Sequence, residues 1–198
     1  LKVPWKQAFK TVNIHGTATV ASACAKRMTP PTLVSVSSLA AAGPALQNEP
    51  LRESMPTAGP VSVYGETKLR AEVSIRSLAS QLPISIVRPP MVLGPGDPAS
   101  LPLFRSVGRG WHIAPTRASM RVSAIHVDDL SSALITIAEA GARYDTPEDE
   151  LGGLYYAAAD EIVEYTDLGL MVARALGQAR LKVFRCPHWI SYCAAFVS

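Results

Sequence analysis

The chain has 198 residues, 48% of them hydrophobic and 18% charged, with a formal net charge of +3 and no low-complexity tract; it can bury a real core and reads as globular. The mild charge, with arginines that form no dense run interleaved with aromatics, argues against nucleic-acid binding, and the absence of a signal-peptide pattern or of an apolar run of 18 or more residues argues against a membrane span. Cys24, Cys186 and Cys193 lack metal-ligand spacing, so no metal site is expected and the thiols read as reduced, in a cytoplasmic protein.

Residues 5–27 predict a helix, with Phe9, Val12, Thr19/Val20 and Cys24 recurring at helical spacing. Gly16 costs about 1 kcal/mol inside it, which a close approach to a neighbouring element would justify. Pro30-Pro31 ends the helix. Residues 32–37, apolar at Leu33, Val34 and Val36, predict a buried parallel strand. Ser38 then falls at the carboxyl end of that strand, the edge where open α/β sheets bind ligands; its hydroxyl either serves a ligand or caps the strand end. Alternation turns Ser37 to the opposite face.

Residues 40–63 contain Pro44, Pro50, Pro56 and Pro60 and predict a loop bordering a site. A helix over 64–82 follows, with a stripe of Leu69, Val73, Ile75/Arg76 and Leu78/Ala79, stopped by Pro83. Residues 84–87 predict the next buried strand. Pro89 and Pro90 donate no backbone hydrogen bond, so pairing ends there, and residues 94–98 form a turn.

Residues 101–109 predict a short helix ending at Gly110. Arg105, Arg109, Arg117 and Arg121 fall in one stretch, suited to an anionic substrate or simply to a solvated face. Asp128 or Asp129 is an N-cap candidate for a helix to residue 140, and His126 reads as structural. A last run of elements comprises a strand at 154–158, a helix capped by Thr166 or Asp167 with Gly177 after its end, a strand at 181–184, and a helix beginning at Pro187.

The chemistry concentrates at Tyr64-Gly65-Glu66-Thr67-Lys68. Four residues is about one helical turn, so phenol and ammonium share a face. A free phenol titrates near 10, and a fixed cation nearby favours the phenolate. With a serine hydroxyl to hold the same oxygen, the set suits proton transfer to or from an alcohol or ketone while hydride moves on the carbon.

The order Asn13-Ile14-His15-Gly16-Thr17, then residues 34–43 ending Ser37-Ser38-Leu39-Ala40-Ala41-Ala42-Gly43, then Tyr64-x-x-x-Lys68, then residues 83–90 ending Arg88-Pro89-Pro90, then His126-Val127-Asp128-Asp129 resembles the extended short-chain dehydrogenase/reductase family, of the NAD-dependent epimerase/dehydratase type. The resemblance spans residues 9–187. It implies an α/β fold: a partial Rossmann-like doubly wound parallel sheet, with residues 1–93 the later half of a dinucleotide-binding domain. Residues 94–198 would be a small substrate-binding subdomain with returning sheet elements. It implies NAD or NADP as cofactor, Tyr64 as general acid/base, Lys68 beside it and on the cofactor ribose, and Ser38 on the substrate oxygen. The corner Arg88, Pro89 and Val92 would lie against the nicotinamide, and Arg105 and Arg121 are candidate substrate contacts. Asn13 is either an active-site group or part of a packed helix.

The Gly-rich pyrophosphate turn of that family is not found, and a partial chain is expected, one that binds the dinucleotide poorly and shows a sheet edge. The family also implies a small-molecule substrate and a homodimer through the helices 5–27 and 64–82. A nucleotide-sugar epimerase or dehydratase competes with a hydroxysteroid- or dihydroflavonol-type dehydrogenase. Ala42, where epimerases often carry tyrosine, leans towards the second. A non-catalytic dinucleotide-binding scaffold is the remaining alternative, disfavoured by the joint presence of Ser38, Tyr64 and Lys68.

Overall fold

The computed structural model describes residues 5–46, 49–115, 120–149 and 151–186. In chain order the elements are α1 (Trp5–Phe9), a π-helical segment (Lys10–Gly16), α2 (Thr17–Ala25), β1 (Leu33–Val36), a 3₁₀ turn (Leu39–Ala41), α3 (Val63–Arg76), β2 (Ile84–Val87) and β3 (Met91–Leu93). They continue with α4 (Leu101–Gly108), β4 (Trp111–Pro115), β5 (Arg121–His126), α5 (Val127–Ala140), β6 (Leu154–Tyr155), β7 (Ile162–Glu164), α6 (Tyr165–Ala175) and β8 (Lys182–Cys186). Two compact units form, Leu1–Val92 with Asp128–Ala158, and Leu93–Val127 with Ala159–Ser198. Among the described residues no helix is long and apolar enough to cross a membrane.

The first unit is built on a parallel sheet of order β1-β2-β6. Leu33 pairs with Ile84 and Val36 with Val87; on the other side Ile86 pairs with Leu154. The β1-loop-α3-β2 sequence is therefore a parallel crossover unit, whose long connection carries the helix α3. The β2 strand is buried throughout. The β1 strand is not the buried strand expected: Leu33, Val34 and Ser35 are half-buried and Val36 is 44% exposed. Its pairing among the described residues is to β2 alone, so one edge lacks cover.

The apolar core of this unit joins Ala21, Ile75, Ala79, Leu82, Ile84, Ile86 and Tyr144, with Cys24, Leu33 and Leu154 packed against it. Two expected stripes are corrected. On the first helical rod Val12 and Val20 face outwards, 67% and 56% exposed, while Ala21 is fully buried. The π segment widens the turn between Phe9 and α2, so a 3.6-residue count carried across it points to the wrong face. Nor does Gly16 mark a close approach: a Cβ there would meet Thr11 O at an ordinary 3.7 Å. On α3 the buried line is Thr67, Ala71 and Ile75, whereas Val73 is 57% exposed. This helix ends at Arg76 instead of running to 82. Residues 77–82 fold into successive turns that bring Leu82, 1% exposed, into the core before Pro83.

The second unit pairs β4 with β8 in parallel and β5 with β7 antiparallel. Its core packs α4 on α6 through Val107, Val172 and Ala173, with Leu103, Phe104 and Leu181 alongside. Asp97 accepts hydrogen bonds from the Ala99 and Ser100 amides ahead of α4, and Gly110 reverses the chain after it at φ +86°. His112 is buried under α6, its Nε2 at 3.0 Å from the Tyr165 carbonyl oxygen. Two capping expectations are corrected: Asp128 and Asp129 lie inside the first turn of α5, and Thr166 and Asp167 inside the first turn of α6, whose N-cap is Glu164. The apolar residue preceding each pair has already entered helical geometry. Gly177 does follow α6 with φ +66°. The helix expected from Pro187, and Arg117, lie outside the described residues.

Candidate active site

The carboxyl ends of β1 and β2 and the first turns of α3 build the site. Ser62 caps α3, its Oγ accepting from the Gly65 amide at 3.0 Å. Gly65 is buried because a side chain there would collide with the Ala40 carbonyl. That contact presses the first turn of α3 against the 3₁₀ turn that Ser38 opens. Ser38 caps that turn, its Oγ accepting from the Ala40 amide at 3.2 Å. The Leu39 amide donates to Pro89 O at 2.9 Å, so the Arg88-Pro89-Pro90 corner is hydrogen-bonded to the residue beside Ser38.

Tyr64 stands at this junction, 37% exposed, with Phe9 packed edge-on against its ring at 5.6 Å between centroids. One turn on, Lys68 is half-buried and donates from Nζ to Val36 O, the last carbonyl of β1, at 3.2 Å. The same ammonium is 5.8 Å from the centre of the Tyr64 ring. Burial holds its pKa below the ordinary lysine value, against the opposing pull of the Glu72 carboxylate. Ser38 and Lys68 are thus each bonded to main chain about the end of β1, and the Tyr64 ring lies between the Lys68 ammonium and Phe9.

Asn13 reaches this turn indirectly. Its amide nitrogen donates to Thr67 Oγ1 at 3.0 Å, and Thr67 Oγ1 donates to Tyr64 O at 2.9 Å. The π segment carries Asn13 to that position, and such segments recur at functional sites.

A buried polar cluster, which the sequence reading did not single out, lies directly below. Ser37 Oγ donates to Glu72 Oε1. Arg88 forks onto the same carboxylate, Nε to Oε1 at 3.0 Å and Nη2 to Oε2 at 2.5 Å. Its remaining arm, Nη1, donates to the Tyr156 hydroxyl at 3.1 Å. Burial opposes the Arg88 charge, but the Glu72 hydrogen bond and charge outweigh it and raise the guanidinium pKa. Arg88's side chain is therefore committed to the interior, and what the corner can offer a cofactor is main chain around Pro89 and Val92. A signal was available: Glu72 lies one turn beyond Lys68, and an arginine directly precedes two prolines at a strand end.

The remaining expected residues lie elsewhere. Arg105 on α4 and Arg121 at the start of β5 are exposed and belong to the second unit. His126 ends β5, also exposed. In the first unit the loop before α3 borders a partly open pocket of about 230 Å³ whose described lining is Ala45, Leu46, Leu51, Met55, Pro56 and Glu49. The neck of this loop closes where the Gly59 amide donates to Ala42 O at 3.0 Å. Gly43, at φ +78°, leaves no room there for a side chain against Gly59.

Residues 2–188 match the model of the 3-beta hydroxysteroid dehydrogenase/isomerase family. A ceramide reductase from Caulobacter vibrioides (strain NA1000 / CB15N) is 31% identical over 135 residues, covering 68% of this chain and 37% of that protein. Among solved structures, RMD from Pseudomonas aeruginosa complexed with NADPH superposes with a TM-score of 0.73 at 19% identity, over 90% of this chain and 61% of that one. UDP-glucuronic acid 4-epimerase from Bacillus cereus in complex with NAD gives 0.72 at 18% identity, over 92% and 59%. The fold is accordingly α/β with Rossmann-like parallel-sheet segments, and this chain covers only 37% to 61% of the length of these proteins.

Proposed function

Because the chain belongs to the 3-beta hydroxysteroid dehydrogenase/isomerase family, within the extended short-chain dehydrogenases/reductases, we propose that the protein it represents is an NAD(P)-dependent oxidoreductase acting on a secondary alcohol or ketone. The observation that carries this reading is the Lys68 ammonium, seated on the last carbonyl of β1 and 5.8 Å from the Tyr64 ring, beside the turn that Ser38 opens. The residues present fit the ribose end of a dinucleotide: a half-buried cation stands at the carboxyl edge of two parallel strands, where open α/β sheets hold nucleotides. Lys68 would hold that ribose, with Pro89 and Val92 main chain alongside. The bound cofactor supplies the hydride donor or acceptor.

In the reaction Ser38 Oγ holds the substrate oxygen. The Tyr64 hydroxyl gives it a proton as a carbonyl is reduced, or takes one as an alcohol is oxidised. Lys68 places positive charge next to that proton transfer. In the full-length protein Tyr64→Phe removes the proton donor but keeps the ring on Phe9, so turnover is lost while cofactor still binds. Activity within tenfold of wild type would end the assignment.

An apolar substrate of hydroxysteroid or lipid type fits better than a nucleotide sugar. Among the described residues the pocket in the loop before α3 is lined by hydrocarbon and one carboxylate, Glu49, which would repel a diphosphate. The family model and the ceramide reductase relative agree in direction. Assay of the full-length protein with an apolar secondary alcohol against a uridine diphosphate sugar decides; faster turnover of the sugar reverses this choice. The outward-facing Val12 and Val20 of the first helical rod and Val73 of α3 would form a homodimer interface, and Val20→Lys with Val73→Lys should then yield monomer by light scattering.

A further inference from the structure

Glu72 is a buried carboxylate, 4% exposed, on the catalytic helix, yet it cannot touch a substrate. Its two hydrogen-bond partners, and the further partner of one of them, end strands or follow them. Ser37, beside Ser38, closes β1; Arg88, beside Pro89, closes β2; and Tyr156, at the end of β6, takes the outer arm of Arg88. The Tyr156 amide in turn donates to Glu53 Oε1 at 2.7 Å, which ties the loop before α3 to the same strand end. Removing charges from water is expensive, and an ion pair of this kind is often replaceable by hydrocarbon without loss of stability. Stability alone therefore gives a weak account of it. What the pair supplies that hydrocarbon cannot is direction: two forked hydrogen bonds fix both the azimuth and the height of α3 over β1 and β2.

We propose that Glu72 is a positioning residue, which through Ser37 and Arg88 locks α3 onto the ends of β1 and β2 in the register that brings Ser38, Tyr64 and Lys68 to one reacting oxygen. The inference rests on those three being the reacting set. Lys68 reads the lock from above, since its Nζ bonds the Val36 carbonyl next to Ser37. Thr67 reads it from the side, through Asn13 and the Tyr64 carbonyl. A slip of α3 by a fraction of an ångström leaves the core intact but moves the Tyr64 hydroxyl relative to Ser38, and misplacement of about 1 Å can cost about a hundredfold in rate.

The test uses the full-length protein and measures kcat, KM, dinucleotide Kd and melting temperature for Ser37→Ala, Glu72→Gln and Ser38→Ala, and for each of the first two combined with Ser38→Ala. Ser37→Ala and Glu72→Gln are expected to lower kcat about tenfold or more while KM and dinucleotide Kd stay within about threefold. Each should lower kcat by clearly less once Ser38 is alanine than it does alone, because part of its effect is to spoil the alignment of the Ser38 hydroxyl with Tyr64. A purely structural role lowers melting temperature and leaves kcat per folded molecule unchanged, or gives losses that add; either result overturns the proposal. Should Glu72→Gln not fold, Ser37→Ala, which deletes one hydroxyl and leaves the ion pair, decides it alone. Tyr64→Phe separates the two claims: an inactive Tyr64→Phe beside a fully active Ser37→Ala removes the lock and keeps the site, whereas an active Tyr64→Phe removes both.

Discussion

The two ends of α3 are packed by different physics. Its carboxyl end is held chiefly by hydrocarbon, with Ile75 fully buried among Ala21, Leu82, Ile84 and Ile86 and Tyr144 alongside, while Arg76 at the very end donates to Pro147 O and Asp149 O. Its amino end is held by directed polar contacts, Ser62 on Gly65, Thr67 between Asn13 and Tyr64, and Lys68 on Val36, and these continue past mid-helix to Glu72 on Ser37 and Arg88. Dispersion and burial are non-directional and tolerate small shifts, so they suit the end whose task is to stay folded. Hydrogen bonds to charged groups fix position and angle, so they suit the end that presents Tyr64 and Lys68. Substitutions at the two ends should therefore separate stability from activity.

The largest effect belongs to Tyr64. Tyr64→Phe in the full-length protein should cost turnover about 10²–10⁴-fold, the range for loss of a general acid/base, with an unchanged melting temperature. A parallel drop in melting temperature would mean that the phenol is part of the packing. Ile75→Ala is the mirror experiment. It should destabilise by about 2–5 kcal/mol as a fully buried aliphatic truncation, read by urea unfolding, with kcat per folded molecule within about threefold. A kcat lost along with stability would erase the contrast between the two ends.

Gly65→Ala sharpens the boundary between them. The added methyl is driven into the Ala40 carbonyl, so the first turn of α3 must lift from the turn that Ser38 opens. A kcat loss of about tenfold, roughly 1.4 kcal/mol in barrier, should exceed the fractional loss in stability. Wild-type kcat would show that the turn gives way without moving Tyr64.

The smallest effect lies under the hydrocarbon end. Burial pushes the Tyr144 phenol up to about 12, with the Arg76 guanidinium over its ring pulling the other way. The folded value exceeds the unfolded value near 10. The folded state therefore binds more protons across that interval, and the contribution is complete below about pH 10 and lost as pH rises towards 12. Tyr144→Phe should flatten this alkaline slope in urea midpoints measured from pH 9 to 12, and an unchanged slope would place the phenol in water.

Much of this was legible in the chain. Strand residues 84–87, the break at Pro89-Pro90, the turn glycines at 110 and 177 and the pairing of Tyr64 with Lys68 all follow from local rules of period, backbone freedom and missing donors, which act over a turn or two and survive any tertiary context. Faces were less legible. Val12, Val20 and Val73 read as core by hydrophobicity and point outwards, because the π segment shifts the count on one helix, and on the other Gly65, Thr67 and Ala71 are small enough to approach the strands where valine is not.

By itself the sequence determined which residue types stand at the strand ends and one turn into the helix beyond, since spacing along a regular element fixes what shares a side. Only the tertiary structure decided that Ser37, Glu72 and Arg88 meet. They come from a strand end, a helix and a second strand end, separated by 35 and 16 residues. No local period links such positions, and they come together because a parallel crossover lays the helix across both strands.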